Sequence, residues 1–149
     1  MFHEKHRFEH LTILKLGECH LLDDASIQSI IKTYVVLSRC PPSAFTLTLL
    51  YRCPRLIDLT CSWAYGVTDE GFNDIVRRCH LLQRLSLIGC YQICGSLLCD
   101  VPDKYLKSID YLNFEQCNQI EDDILIALYR RKTSIAIINY YGSSVDDEE

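Results

Sequence analysis

Cysteine is the residue type whose number and spacing in this sequence most readily suggest chemistry. The chain has nine cysteines, and three of them lie close together as Cys90-x3-Cys94-x4-Cys99. Cys19 and Cys79 are each followed by a histidine. Thiolate and imidazole groups bind zinc, but structural zinc sites usually show two knuckles of C-x2–4-C spacing. Two interpretations therefore stand, a cysteine-held metal or redox module and simple core or surface thiols, and the spacing favours thiols.

Other reactive side chains lack the arrangement that catalysis needs. The sequence contains no nucleophile elbow, HExxH, P-loop or G-x-G-x-x-G motif. His3, His6 and His10 lie in a polar N-terminus, and the acid pairs Asp23-Asp24 and Asp122-Asp123 lie at predicted helix starts, where capping explains them. We therefore expect no enzymatic activity, no catalytic residue, no cofactor and no metal.

Composition and charge indicate one ordinary globular domain. The 149 residues are 48% hydrophobic and 23% charged, and the net charge is −5 from 15 basic and 20 acidic residues. Four of the acids form the tail Asp146–Glu149. Without that tail the balance is nearly neutral, which argues against a broad nucleic-acid footprint.

Neither a membrane span nor a secretory signal is expected. No window of 18 or more uninterrupted apolar residues occurs, and the N-terminus MFHEKHRFEH lacks an apolar run with a cleavage site. We expect a cytoplasmic or nuclear protein whose cysteines stay reduced.

A short motif recurs at a nearly constant interval. Four apolar anchors stand at residues 59, 85, 112 and 138, so the steps between them are 26, 27 and 26 residues. A fifth anchor lies upstream, and every anchor has an aliphatic residue three positions before it. Most copies also have a cysteine five positions later and an aspartate ten positions later. The anchors are Leu14, Leu59, Leu85, Leu112 and Ile138.

Each repeat unit predicts a strand, a loop and a helix. The L-x-L alternation at the anchor is typical of a strand with one buried face, and the apolar residues three apart after the aspartate are typical of an amphipathic helix. We expect helices over residues 24–33, 70–79, 96–106 and 122–132, although Gly95 replaces the aspartate in the third. Because one unit cannot bury its own apolar face, the units must stack into a parallel-stranded solenoid.

At this point the sequence resembles the cysteine-containing leucine-rich repeat family, known from the substrate-binding halves of F-box proteins. The segments GECHLLDDASI, SWAYGVTDEGF, IGCYQICGSLL and EQCNQIEDDIL carry the resemblance, which covers residues 9 to about 141. The second segment departs from it by having Ala64 at the cysteine position. The resemblance implies an α/β leucine-rich-repeat solenoid of about five units, with strands on its concave side and helices on its convex side.

The expected organisation has three parts. An N-terminal extension covers residues 1–9, leucine-rich repeats cover 10–141, and an acidic disordered tail covers 142–149. The first step is 19 residues longer than a 26-residue unit, and deletion of residues 34–52 restores the period. This segment is a loop, a degenerate repeat or a translated intron. No F-box fits before residue 9, so we expect a fragment or a short isoform.

The strand residues beside the anchors predict a binding face. Residues one before, one after and three after each anchor point away from the face that the anchor buries. These are Ile13, Lys15, Gly17, Asp58, Thr60, Ser62, Arg84, Ser86, Ile88, Tyr111, Asn113, Glu115, Ile137, Asn139 and Tyr141. Because Tyr and Arg dominate interface hot spots, we predict that Arg84, Tyr111 and Glu115 form a protein-binding patch. Plain solvated strand positions are the alternative for these three.

The aromatic residues of the following loops form a candidate rim of that face. They are Trp63, Tyr65 and Tyr91. Packing between neighbouring units is the alternative explanation for these side chains.

The resemblance implies recognition of a protein substrate for a Skp–cullin–F-box (SCF) E3 ubiquitin ligase. A full-length form would have a Skp-type adaptor and a cullin as partners, and the repeats would position the substrate without covalent chemistry. The alternative is an F-box-less leucine-rich-repeat scaffold or regulator with no ubiquitin link. The full-length transcript distinguishes the two, because only the first requires an upstream F-box.

Overall fold

A computed structural model describes residues 10–15, 20, 23–24 and 55–146 of the chain. The strands are β1 (Ile13–Lys15), β2 (Asp58–Thr60), β3 (Arg84–Ser86), β4 (Tyr111–Asn113) and β5 (Ala136–Ile138). The helices are α1 (Asp69–Arg78), α2 (Asp103–Leu106) and α3 (Asp122–Arg131). The predicted extension 1–9, the insertion 34–52 and all but the first residue of the predicted helix 24–33 lie outside the described residues.

The five strands form one parallel sheet whose spatial order equals the chain order. Parallel neighbours need a crossover connection, and α1, α2 and α3 lie in the crossovers from β2 to β5. The register aligns Leu14, Leu59, Leu85 and Leu112 side by side. Four of the five predicted anchors are therefore confirmed as equivalent residues of neighbouring parallel strands.

β5 differs from the prediction by one residue. Ile137, and not Ile138, pairs with Leu112 and is fully buried. Ile135 is also buried, whereas Ala136 between them is exposed. Because a slip of one residue exchanges the two faces of a strand, the observed register buries two isoleucines where the predicted one would bury an alanine and an isoleucine. The larger buried apolar area favours the observed register.

The core lies between one face of this sheet and the helices. It contains the anchors Leu59, Leu85 and Leu112 and the aliphatic residues that precede anchors, such as Leu82 and Ile109. Phe72 of α1 reaches across to Phe114, which follows β4, with the two ring centroids 6.0 Å apart. The units thus share one continuous core, as the repeat pattern requires.

Two of the predicted helices are confirmed. α1 and α3 match the expected ranges 70–79 and 122–132 to within one residue at each end. Thr68 is the N-cap of α1, and its hydroxyl accepts a hydrogen bond from the Glu70 backbone N–H at 3.2 Å. No helix within the described ranges is long and apolar enough to cross a membrane.

The predicted helix over residues 96–106 is wrong for most of its length, because only α2 is helical there. Gly95, at the position of the missing aspartate, has φ of +85°, and turns follow it. Pro102 disfavours helical geometry in the residue before it and is itself the N-cap of α2. The helix can therefore begin only at Asp103.

Two basic side chains at the end of α3 hold this irregular stretch in place. Arg131 donates a hydrogen bond to the carbonyl of Val101 at 2.6 Å. Lys132 donates to the carbonyls of Leu106 at 2.5 Å and Ile109 at 2.6 Å. Burial lowers the pKa of Lys132. These side chains satisfy backbone carbonyls before, at the end of and after the short helix, where few regular backbone partners exist.

Two of the recurring aspartates, Asp24 and Asp69, join neighbouring units. One carboxylate oxygen of Asp69 accepts hydrogen bonds from the Cys94 thiol and the Ser96 hydroxyl, each at 2.8 Å, and the other accepts from the Gly95 N–H at 3.0 Å. Burial would raise the pKa of Asp69, but the hydrogen bonds outweigh it and the pKa lies below its ordinary value. Asp24 accepts similarly from the Thr68 hydroxyl at 2.9 Å, but there burial outweighs the hydrogen bonds and raises the pKa.

The C-terminal segment folds back onto β5. Ile138 bridges Ser144 in antiparallel fashion, and the Val145 N–H donates to the Ile137 carbonyl at 2.8 Å. Val145 is buried. The residues from Ser143 to Val145 thus cover the otherwise open edge of the sheet.

Candidate functional site

The side of the sheet away from the core presents two rows of side chains, which we call the open face. Residues one before the aligned anchors form the first row and residues one after them form the second. Strand neighbours in such rows are about 4.8 Å apart. The first row is Ile13, Asp58, Arg84, Tyr111 and Ala136, and the second is Lys15, Thr60, Ser86, Asn113 and Ile138.

Arg84 stands at the centre of the first row between an acid and an aromatic ring. Its guanidinium carbon lies 4.3 Å from the ring centroid of Tyr111, a cation–π contact. Its Nε lies 3.8 Å from a carboxylate oxygen of Asp58. The Arg84 side chain is still 54% exposed. The guanidinium is thus held from two sides while part of it stays available to a partner.

Asn113 supports Tyr111 from the second row. Its side-chain NH₂ donates to the Tyr111 hydroxyl at 3.2 Å, and its side-chain oxygen accepts from the Glu115 backbone N–H at 2.8 Å. Asn113 is only 8% exposed. Its amide therefore supports Tyr111 and is not itself accessible to a partner. The sequence prediction placed Asn113 on this face but missed its supporting role, for which no spacing signal exists.

The third residue of the predicted patch, Glu115, lies beyond the end of β4. It is half-buried, and a Cβ placed on Gly142 would lie 3.6 Å from its carboxyl carbon. The structure therefore brings Arg84 and Tyr111 into direct contact and connects Glu115 to them through Asn113. Glu115 also borders the C-terminal turn.

The predicted face is wrong at its last strand. Ile137 is buried beside Leu112 instead of facing outward. The Asn139 side chain accepts hydrogen bonds from the backbone N–H groups of Tyr141 and Ser143, at 3.1 and 3.0 Å, and so stabilises the final turn. The open face continues on this strand through Ala136 and Ile138.

Three rings stack along one edge of the open face, and we call them the aromatic ladder. The ring of His20 lies 5.1 Å from that of Tyr65, which lies 5.2 Å from that of Tyr91, and both pairs are nearly parallel. Each ring comes six residues after its anchor, so the ladder repeats with the strands. His20 was not predicted as a member, although its distance from Leu14 carries the same signal.

Trp63 packs behind this ladder. Its ring meets Tyr91 edge-on, with centroids 6.1 Å apart, and lies over Gly89, where an added Cβ would come within 2.3 Å of it. Trp63 itself has φ of +61°. Tyr65 and Tyr91 are 38% and 37% exposed, whereas Trp63 is half-buried. Of the predicted rim, the two tyrosines are accessible and Trp63 mainly joins neighbouring units.

The cysteines of the repeat positions have structural partners. The Cys90 thiol donates to the Cys61 carbonyl at 3.1 Å, and the Cys117 thiol to the Leu87 carbonyl at 3.0 Å. Burial raises the pKa of Cys90 to about 12 and that of Cys117 to about 11. These two thiols are therefore protonated at neutral pH, a form that neither binds metal nor attacks electrophiles.

The other described cysteines are Cys61, Cys79, Cys94 and Cys99, and none of the six takes part in a disulfide. Within the described ranges, no cluster of three or more His, Cys, Asp or Glu side chains is arranged to hold a metal ion. Cys19, Cys40 and Cys53 lie outside those ranges.

No protein-family model matches the sequence. A solved structure with some similarity is the crystal structure of the Rad7 and Elc1 complex in yeast, at 14% sequence identity and a TM-score of 0.36. The match covers 57% of this chain and 30% of the other. The chain thus spans about a third of that protein, and a TM-score this low assigns neither fold nor function.

Proposed function

We propose that this chain is a leucine-rich-repeat module whose open face binds a protein, and that it recognises substrates for an SCF-type E3 ubiquitin ligase. The single observation that carries the binding proposal is the fixed row of Asp58, Arg84 and Tyr111 on paired strands. The ligase assignment rests on the repeat motif in the sequence. In this role the chain positions a protein and catalyses nothing itself.

The row has the physical properties of an interface hot spot. Arg and Tyr are enriched among hot-spot residues because they combine apolar area with directed hydrogen bonds. Tyr111 and Asp58 restrict Arg84 in advance, so little side-chain entropy is lost when a partner binds. The surface is an open sheet face without enclosing walls, which suits an extended protein segment better than a small molecule that needs enclosure.

The first test is partner capture with surface variants. The wild-type chain, Arg84→Ala and Tyr111→Ala are used as bait in cell lysate, and the affinity of the best wild-type partner is measured for each. We expect each variant to weaken binding by at least about 1 kcal/mol. Lys107→Ala, which removes an exposed charge on the helical side, is the matched control and should bind as the wild type does.

Equal binding by the patch variants and the control would exclude the open face as the site. The aromatic ladder would then be the next surface to vary, with Tyr65→Ala and Tyr91→Ala. The ligase assignment has its own test, because the complete messenger RNA either encodes an upstream F-box or does not. Binding of the encoded protein to a Skp-type adaptor would support it, and a transcript without an F-box would favour a scaffold.

A further inference from the structure

Two exposed tyrosine rings stand at the C-terminal end of the open face. The rings of Tyr140 and Tyr141 are nearly perpendicular, at 88°, and their centroids lie 5.0 Å apart. Tyr140 is 40% exposed and Tyr141 is 78% exposed. In a perpendicular pair each ring covers at most one face of the other, so electron-rich ring faces stay open to solvent. A cation that lies over such a face is attracted by it.

The Glu115 carboxylate lies beside this pair of rings. Glu115 and Tyr140 hold equivalent places, because each comes three residues after a buried anchor and the two anchors are paired. The Gln116 N–H donates to the Tyr140 carbonyl at 3.0 Å, so the pairing of the backbones continues to this point. A Cβ placed on Gly142 would lie 3.7 Å from the Glu115 Oε1. The carboxylate therefore reaches the same turn that carries the two rings.

No described residue neutralises this carboxylate. The backbone N–H of Glu115 donates to the Asn113 side chain at 2.8 Å, but its carboxylate takes part in no ion pair and accepts no hydrogen bond within the described ranges. The basic residue of the open face, Arg84, pairs with Asp58 instead. A half-buried carboxylate without a counter-charge favours the binding of a cation.

Hydrogen bonds fix the turn before any ligand binds. The Asn139 side-chain oxygen accepts from the backbone N–H groups of Tyr141 and Ser143, at 3.1 and 3.0 Å. The Asn139 carbonyl accepts from the Gly142 N–H at 3.1 Å. Gly142 has φ of +79°, a conformation that glycine adopts without steric cost. Little backbone entropy is therefore lost when a ligand meets the rings.

The spacing allows one cation to meet all three groups. An ion pair extends to about 4 Å and a cation–π contact to about 6 Å from the ring centroid, so a single cation can serve a carboxylate and a ring that are up to about 10 Å apart. Glu115 and Tyr140 project from neighbouring backbones about 4.8 Å apart, on the side away from the core. The Tyr141 centroid lies only 5.0 Å from that of Tyr140.

We propose that Glu115, Tyr140 and Tyr141 bind the ammonium group of a lysine side chain, free or methylated, on a protein segment. A metal ion suits the site less well, because ring faces offer no oxygen ligand and one carboxylate supplies too few. The site adjoins the open face and rests on the proposed function only in that its ligand belongs to a protein.

The test follows backbone amide chemical shifts of the full chain during titration with three short peptides. The first has one lysine between glycines and serines, the second has trimethyllysine in its place, and the third has the neutral tert-butyl isostere of trimethyllysine. We expect both cationic peptides to shift the amides of Glu115, Tyr140, Tyr141 and Gly142, and the neutral peptide to leave them in place. The tighter of the two cationic peptides identifies the preferred form of the ligand.

Variants then distinguish a built site from general attraction to an acidic chain. Tyr141→Leu and Glu115→Gln should each weaken binding of the better cationic peptide at least about twofold to fivefold. Tyr65→Leu removes a tyrosine that is 38% exposed elsewhere, and Glu121→Gln removes an exposed acid elsewhere. Both controls should leave binding unchanged. Thermal melts of all four variants check that the fold is retained.

Two results would overturn the proposal. Equal binding of the neutral isostere would show that the rings offer only apolar contact. An equal loss in Glu121→Gln and Glu115→Gln would show that only the overall charge matters. Neither result bears on the proposed function, because partner capture by the open face is tested with Arg84 and Tyr111, which these variants leave intact.

Discussion

The guanidinium carbon of Arg84 lies 4.3 Å from the ring centroid of Tyr111, and the two residues pair directly across β3 and β4. The contact exists because both residues precede their anchors by one position, so the repeat itself brings them together. On the other side of Arg84, Asp58 holds the same place on β2. The row is thus a product of sequence periodicity rather than of a special loop.

The Arg84–Tyr111 contact should be measurable as a coupling energy. In a double-mutant cycle with Arg84→Ala and Tyr111→Leu, followed by urea unfolding, we expect a coupling of about 0.5–1 kcal/mol, the range of exposed cation–π pairs. The control cycle combines Arg84→Ala with Tyr105→Leu, which do not touch, and should give a coupling near zero. Equal coupling in both cycles would contradict a specific contact.

Leu85 should be a major contributor to stability. It is 1% exposed at the centre of the sheet, so Leu85→Ala should lower the free energy of unfolding by about 2–5 kcal/mol. Leu81→Ala is the matched control, because Leu81 lies only four residues away and is 50% exposed. Leu81→Ala should lower the free energy of unfolding by no more than about 0.5 kcal/mol. Similar midpoints in urea for the two variants would refute the assigned register.

Asp69 should make stability depend on pH. Its native pKa lies below the ordinary value, so the folded chain binds fewer protons at this group than the unfolded chain over the acidic range. The stabilisation is therefore fully present above the ordinary pKa of an aspartate and is lost as the pH falls through the native pKa. Asp69→Asn should cost about 1–3 kcal/mol at neutral pH and progressively less in acid.

Asp122 provides the control for that prediction. It occupies the same repeat position in the last helical unit but is exposed. Asp122→Asn should change stability by no more than about 0.5 kcal/mol at any pH. If the two variants lost the same amount of stability with the same pH dependence, charge at the helix terminus, and not the contact between units, would explain the role of Asp69.

The sequence predicted the parts of the fold that depend on strict periodicity. Leu59, Leu85 and Leu112 recur at a nearly constant spacing. The alignment of these residues on neighbouring strands follows from that spacing, and so do the neighbouring positions of Arg84 and Tyr111. The register of β5 was predicted with a shift of one residue. Ile135, Ile137 and Ile138 allow two patterns of inward and outward side chains along this strand, and only packing in the core distinguishes between them.

The extent of the helix predicted over residues 96–106 and the support of the site escaped prediction for a different reason. The apolar spacing after Gly95 fits a helix, but the backbone restriction imposed by Pro102 prevails over it. The role of Asn113 depends on one hydrogen bond to the Tyr111 hydroxyl, and no periodic pattern encodes such a bond. Side-chain partners of this kind become visible only when the units are stacked.

Residues 34–52, which lie outside the described part of the chain, should be dispensable for folding. Their removal joins Thr33 to Cys53 and restores the 26-residue period. We expect the deletion variant to melt at the same temperature as the parent or higher, as judged by circular dichroism. A lower melting temperature would show that the segment is an integral repeat.

Gly89 should determine the position of Trp63 and therefore the shape of the aromatic edge. Gly89 has φ of +68°, and a Cβ there would lie 2.3 Å from the Trp63 ring. Gly89→Ala thus combines backbone strain with a steric clash. Gly142 is the matched control, because its φ is +79° but its nearest contact would be 3.6 Å. Both variants carry a strain of about 1–2 kcal/mol, and only the first must also move the indole.

The readout is unusually direct because Trp63 is the only tryptophan in the chain. We expect Gly89→Ala to shift the emission maximum of the native protein and to lower the free energy of unfolding by at least about 1 kcal/mol more than Gly142→Ala does. Gly142→Ala should leave the emission spectrum unchanged, since Gly142 lies at the C-terminal turn beside Glu115. If both variants lose the same stability and neither alters the emission, Trp63 does not pack on Gly89, and its ring is instead available to a partner as part of the rim.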